Sequence, residues 1–137
     1  MALADTCAGI AICNAVVTLP HVMAHVISGH YEEIAHGDAL YTIYRESLKL
    51  NSQVLAEKHK FIANSIDPGN DDVVSAFDNY FGKFAFANVL KTKLSEDPGA
   101  IDRLAEDTFT YMKGLTELNP VSVDVEDAKK ILAGSCN

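Results

Sequence analysis

Apolar side chains recur at three- and four-residue intervals along almost the whole chain, and this spacing constrains the fold more than any other feature. Leu40, Ile43, Tyr44 and Leu48 fall on one face of a helix, and Val73, Val74, Phe77, Tyr80, Phe81 and Phe84 continue at the same spacing. The only strand-like alternation is the short series Val121, Val123 and Val125. The pattern predicts an all-α fold, a multi-helix bundle.

Punctuating residues set the expected boundaries. The first helix is predicted from near Ala2 to Thr18, and the next from Pro20, whose missing N–H costs nothing in a first turn. A break around Gly29 to Ala35 precedes a helix from Gly37, with a restart at Asn51 and Ser52. Val54, Leu55, Phe61 and Ile62 give a further helix that stops at the turn sequence Asp67-Pro68-Gly69-Asn70. Asp71 and Asp72 suit the positive end of the following helix dipole, and Gly82 kinks or ends that helix. Asp97-Pro98 opens another, with Ile101, Leu104, Ala105, Thr108 and Met112 as its buried stripe and Gly114 to stop it. Asn119-Pro120 marks a turn, and Asp124 caps a last short helix through Ile131 and Leu132 to Gly134.

The 137 residues fit one domain, and a 48% apolar composition supplies a core, which excludes disorder of the whole. Eleven Lys and Arg against 19 Asp and Glu leave a net charge of −8. That balance argues against tracking nucleic-acid phosphates and against an anionic lipid surface. Three cysteines, Cys7, Cys13 and Cys136, are too few and too irregularly spaced for a disulfide scaffold or a CxxC site, so a reducing compartment is expected. The most apolar run, Cys7 to Leu19, has 13 residues, short of the ~20 that span a bilayer. Met1 to Thr6 carries Asp5 and no Lys or Arg, unlike a secretory signal. These features predict a soluble cytoplasmic protein.

The N-terminus is anomalous. Met1-Ala2-Leu3-Ala4 offers neither a cap nor a polar face, and the helix after Asp5 is apolar nearly all round. Such a helix wants neighbours on every side. Three explanations stay open: the domain is truncated at its N-terminal side, the helix packs in an oligomer, or it is an ordinary buried helix with Met1 a true start.

Four of the five histidines, His21, His25, His30 and His36, lie within 16 residues. On a helix opened by Pro20, His21 and His25 sit about 40° apart around the axis and roughly 6 Å along it, sharing one face. This spacing offers two imidazoles to one metal ion, and the break containing Gly29 lets the chain fold back and bring His36 to the same place. The competing reading is a set of partly buried, hydrogen-bonded structural histidines. His30 fits either, while Glu32 and Glu33 are expected as solvated loop carboxylates. His59, between Lys58 and Lys60, reads as surface; Tyr41 and Tyr44 read as packing residues, and Cys7 and Cys13 do not face one another. No phosphate cradle, nucleophile elbow or Walker-type loop is present.

The stretch from Ala8 to Ala15, followed by Leu19-Pro20-His21-Val22-Met23-Ala24-His25, Ile27-Ser28-Gly29 and Ala35-His36-Gly37-Asp38-Ala39, resembles the iron-containing (group III) alcohol dehydrogenases. It is similar to a segment of their helical C-terminal domain. The match is specific through about residue 50 and looser beyond, where Asn119-Pro120 and the short helix from Asp124 resemble the family's ending. The resemblance implies a divalent metal, iron or zinc, at the cleft between this domain and a separate NAD(P)-binding domain. It implies His21 and His36 as metal ligands, and His25 as a proton-relay or orienting residue near nicotinamide and substrate. There are departures. His25 and His36 stand 11 apart, one more than the commoner family spacing, and Ala35 replaces a frequent Pro. The Asp-x-x-x-His that supplies the other two ligands is absent, as is a glycine-rich cofactor domain.

The resemblance therefore implies the C-terminal metal-binding part of an NAD(P)-dependent alcohol dehydrogenase. Its substrate is a small alcohol with its aldehyde or ketone, its ligand set is incomplete, and it is inactive as an isolated chain. The alternative is a stand-alone helical metal-binding or protein-interaction module. Self-association as a homodimer is expected through Ile10, Ile12, Val16 and Val17, unless helices bearing Phe77, Phe81 and Phe84 fold over that surface and give a compact monomer.

Overall fold

The computed structural model describes residues 2–84 and 88–136, all helix and loop with no strand among them; Met1 lies outside the described residues. The helices are α1 (Ala2–Ala15), α2 (Leu19–His30), α3 (His36–Asn51), α4 (Ala56–Ile66), α5 (Val73–Phe81), α6 (Val89–Glu96), α7 (Ala100–Tyr111), α8 (Lys113–Thr116) and α9 (Val125–Gly134).

Local chemistry accounts for several of the helix starts. Pro20 lies in the first turn of α2, and the Asp72 carboxylate accepts the N–H groups of Val74 and Ser75 at the start of α5. Asp124 and Asp127 form a reciprocal capping box on α9. The sequence patterns did not separate out α6, which opens where the Asn88 side chain accepts from the Lys91 N–H and buries Leu90 and Leu94. The Val121, Val123 and Val125 alternation belongs to the approach to α9, where Val123 and Val125 pack against the core.

The main core joins Leu19, Met23 and Ile27 of α2, Ala39 and Ile43 of α3, Leu104 and Ala105 of α7, and Ala128, Ile131 and Leu132 of α9. A buried amide pair bridges distant parts: the Asn119 side chain donates to the Asn51 side chain at 3.0 Å, tying the end of α3 to the loop before α9. A smaller cluster of Ala63, Val73 and Ala76 joins α4 to α5.

Four expectations change. First, α1 stops at Ala15 rather than Thr18, where Val16 takes a left-handed φ of 57° and the chain turns so that α1 and α2 differ by 102°. Second, of the alternatives left open for α1, the ordinary buried helix falls: α1 buries no residue, Leu3, Ile10 and Ile12 and the following Val16 are exposed, and Phe77 and Phe81 pack on Tyr41 rather than covering them. Third, α4 presents His59 and Ala63 to the interior and leaves Phe61 and Ile62 exposed, because the small Ala63 and Ala76 let α4 and α5 approach along that stripe, while Val54 falls in the turn before the helix and is exposed too. Fourth, Gly114 does not stop α7; the helix ends at Tyr111, Met112 is half-buried, and Gly114 lies inside α8. Among the described residues no single helix is long and apolar enough to cross a membrane; α1 and α2 reach that length only together, across the 102° bend.

Candidate functional site

Helix α2 carries His21 and His25 one turn apart, and residues 31–35 reverse the chain so that α3 begins with His36. The reversal brings the three rings together. The His21 and His36 ring centres are 5.4 Å apart with planes tilted by 54°, and His25 stacks on His36 at 4.5 Å and 29°. His30 points elsewhere, its Nε2 lying 2.6 Å from Asp107 Oδ2 on α7.

Electrostatics favour the neutral form of His21 and His36. Burial, then the neighbouring His36 and His25, lowers the His21 pKa below its ordinary value; burial, then His25, lowers that of His36. A neutral ring keeps a lone pair for ligation. His36 Nδ1 is buried without a hydrogen-bond partner, so the protein leaves that donor site unclaimed.

The geometry separates the three rings into two kinds. Metal–nitrogen bonds of ~2 Å on a tetrahedral ion hold two imidazole centres about 5 Å apart and inclined, which suits the His21–His36 pair. A ring's lone pair lies in its own plane, so two near-parallel stacked rings direct their lone pairs side by side. His25 therefore does not converge with His36 on one ion in this arrangement. Among the described residues no group of three or more His, Cys, Asp or Glu side chains is arranged to hold a metal. Among the described residues, the donor set at this cleft is thus compatible with at most two positions of a metal's shell.

The sequence profile of the Fe-containing alcohol dehydrogenase family, C-terminal, matches residues 1–136. This chain belongs to that family. The halo-thermophilic archaeal alcohol dehydrogenase ADH/D1 from a Red Sea brine pool, solved bound to NZQ, superposes with a TM-score of 0.76 at 32% identity. A histidine-to-alanine mutant of the same enzyme gives 0.77 at 31%. In both cases the match covers 88% of this chain and 33% of the other, so the chain spans about a third of the length of these enzymes. No curated protein matches.

In this alcohol dehydrogenase region the remaining expected groups have plainer settings. Glu32 is exposed, whereas Glu33 is exposed and paired with Lys93 of α6, whose hydrogen bond holds its carboxyl below the usual range. His59 is not a surface residue: it is 6% exposed on α4 and its Nδ1 is unpartnered. Tyr41 and Tyr44 stack on Phe77, each at 5.9 Å. Cys7 and Cys13 are exposed on α1. Sequence patterns missed the wall beside His25, where Val26, Gly29, His30, Tyr111 and Met112 line a cavity of about 280 Å³. Tyr111 and Met112 lie more than 80 residues from His25, at the α7–α8 junction, and no local spacing connects them.

Proposed function

We propose that this chain is the metal-binding C-terminal part of an NAD(P)-dependent alcohol dehydrogenase that interconverts a small alcohol and its aldehyde or ketone. One observation carries the reading: His21 and His36 converge at 5.4 Å with tilted planes, while His25 stands beside them in a different orientation. A divalent metal, iron or zinc, held there would supply Lewis-acid polarisation of the reacting oxygen, and NAD(P) would supply or accept the hydride. His21 and His36 hold two of the metal's positions through neutral ring nitrogens. His25, exposed and stacked on His36, takes the hydroxyl proton on a ring nitrogen and passes it to solvent.

The other ligands and the nicotinamide site lie outside these 137 residues, which contain no Asp-x-x-x-His and no glycine-rich cofactor loop. The isolated chain is accordingly inactive. Its exposed α1 supports a homodimer with Ile10, Ile12, Val16 and the half-buried Val17 in the contact, and its unpaired cysteines suit the cytoplasm. The same exposed helix favours the second reading, a stand-alone metal-binding or interaction module.

Calorimetry with Zn²⁺ separates the two. The dehydrogenase reading expects weak binding, open to water, that His21→Ala abolishes. Tight stoichiometric binding that survives His21→Ala favours the module, and clear NAD(P)-linked turnover by the purified chain overturns the incomplete site.

A further inference from the structure

We propose that the His30–Asp107 hydrogen bond is a positioning device for the histidine cleft, fastening the end of α2 to α7 so that residues 31–35 deliver His36 onto His25. The inference rests on reading that cleft as the functional site. For His36 to stack at 4.5 Å on a ring of α2, the five-residue loop must take one path out of many, and the end of α2 must stay fixed while it does so.

Packing holds only one side of that end, where Val26 and Ile27 are buried in the core and Tyr31 lies against it. The cavity of about 280 Å³ beside His25 opens between Gly29 and His30 on one side and Tyr111 and Met112 on the other, so few side-chain contacts set the separation of α2 from the α7–α8 junction there. A polar link spans the gap instead. His30, the last residue of α2, donates Nε2–H to Asp107 Oδ2 at 2.6 Å, joining residues 77 apart in sequence. The His30 and Asp107 side chains keep 29% and 22% of their exposure, a more protected setting than that of Glu33 at 52%.

Two further anchors hold the loop downstream: Ile34 is buried in the core, and Glu33 pairs with Lys93 of α6. Neither acts on the helix that carries His21 and His25. His30 alone among the three does, and it lies only five residues beyond His25.

The test is nuclear Overhauser contact between the His25 and His36 ring protons in the 137-residue chain, with far-UV circular dichroism as the check on folding. His30→Ala and Asp107→Ala are expected to lose most of that contact while helicity stays unchanged. His30→Gln, whose side-chain N–H replaces the Nε2–H donor, is expected to keep it. Unchanged contact in both alanine variants overturns the proposal, and so does a His30→Gln that behaves like His30→Ala. Unfolding of both alanine variants also overturns it, because the pair would then support the fold at large rather than the cleft. Zn²⁺ affinity is the second readout, expected to fall about tenfold in His30→Ala and not in His30→Gln. A wild-type chain that binds no Zn²⁺ would sink the metal reading and leave the ring-to-ring measurement as an intact test of the clamp.

Discussion

His59 lies between two lysines in sequence, yet its ring is turned inward where α4 meets its neighbours. Burial holds its pKa below the ordinary 6.5, and its unpartnered Nδ1 adds nothing to offset the desolvation of a charged ring. The sign follows from proton linkage. Above about pH 6.5 neither the folded nor the unfolded chain protonates His59; below it the unfolded chain takes up the proton first, so stability falls with pH until the lowered folded pKa is reached. His21 and His36 shift in the same direction and add to the loss. Urea midpoints at pH 7.5 and 5.5 should therefore fall on acidification, and the drop should be smaller in His59→Leu. An identical drop in wild type and variant would remove His59 from the account.

Among the elements, α9 and α4 differ in how their apolar residues are used. α9 is short but carries a complete capping box and inserts Ala128, Ile131 and Leu132 between α7 and α3. Truncating a fully buried leucine forfeits its transfer energy and leaves a cavity, so Leu132→Ala should cost about 2–5 kcal/mol in equilibrium denaturation. Phe61 on α4 is 74% exposed and already solvated, so Phe61→Ala should stay within about 0.5 kcal/mol of wild type. Hydrophobicity alone ranks these two changes in the opposite order. A Phe61→Ala loss that matches that of Leu132→Ala would mean that α4 packs through its other face.

For the whole molecule, the consequential feature is a 14-residue helix with no buried residue. Leu3 at 77%, Ile10 at 59% and Val16 at 53% exposure leave apolar area in water, and each Å² removed from it is worth about 25 cal/mol. A closed two-fold dimer covers such a surface with one self-complementary contact. Sedimentation at micromolar concentration should show a dimer that Ile10→Glu with Ile12→Glu shifts toward monomer, without a change in the melting of the remaining helices. A monodisperse wild-type monomer that binds no apolar dye would rule out both the exposure and the association.

Helix content, most helix ends and the chemistry of the histidine segment were legible in the sequence because they depend on contacts within a few residues. Pro20, Asp72 and Asp124 act on N–H groups one turn away, and His21 and His25 share a face by helical geometry alone. Resemblance to the dehydrogenase family came from the same short stretch. Burial was another matter. Whether His59 or Phe61 faces inward depends on which stripe of α4 the small residues of α5 admit, and α4's own spacing allows either. The apolar α1 left burial and exposure both open in sequence, and the described residues bury none of it. His36 meets His25 through a loop in which Ile34 is buried and Glu33 pairs with Lys93 of α6, and Asp107 reaches His30 from 77 residues away. Local spacing fixes which face a side chain occupies; only the packed chain decides what lies opposite that face.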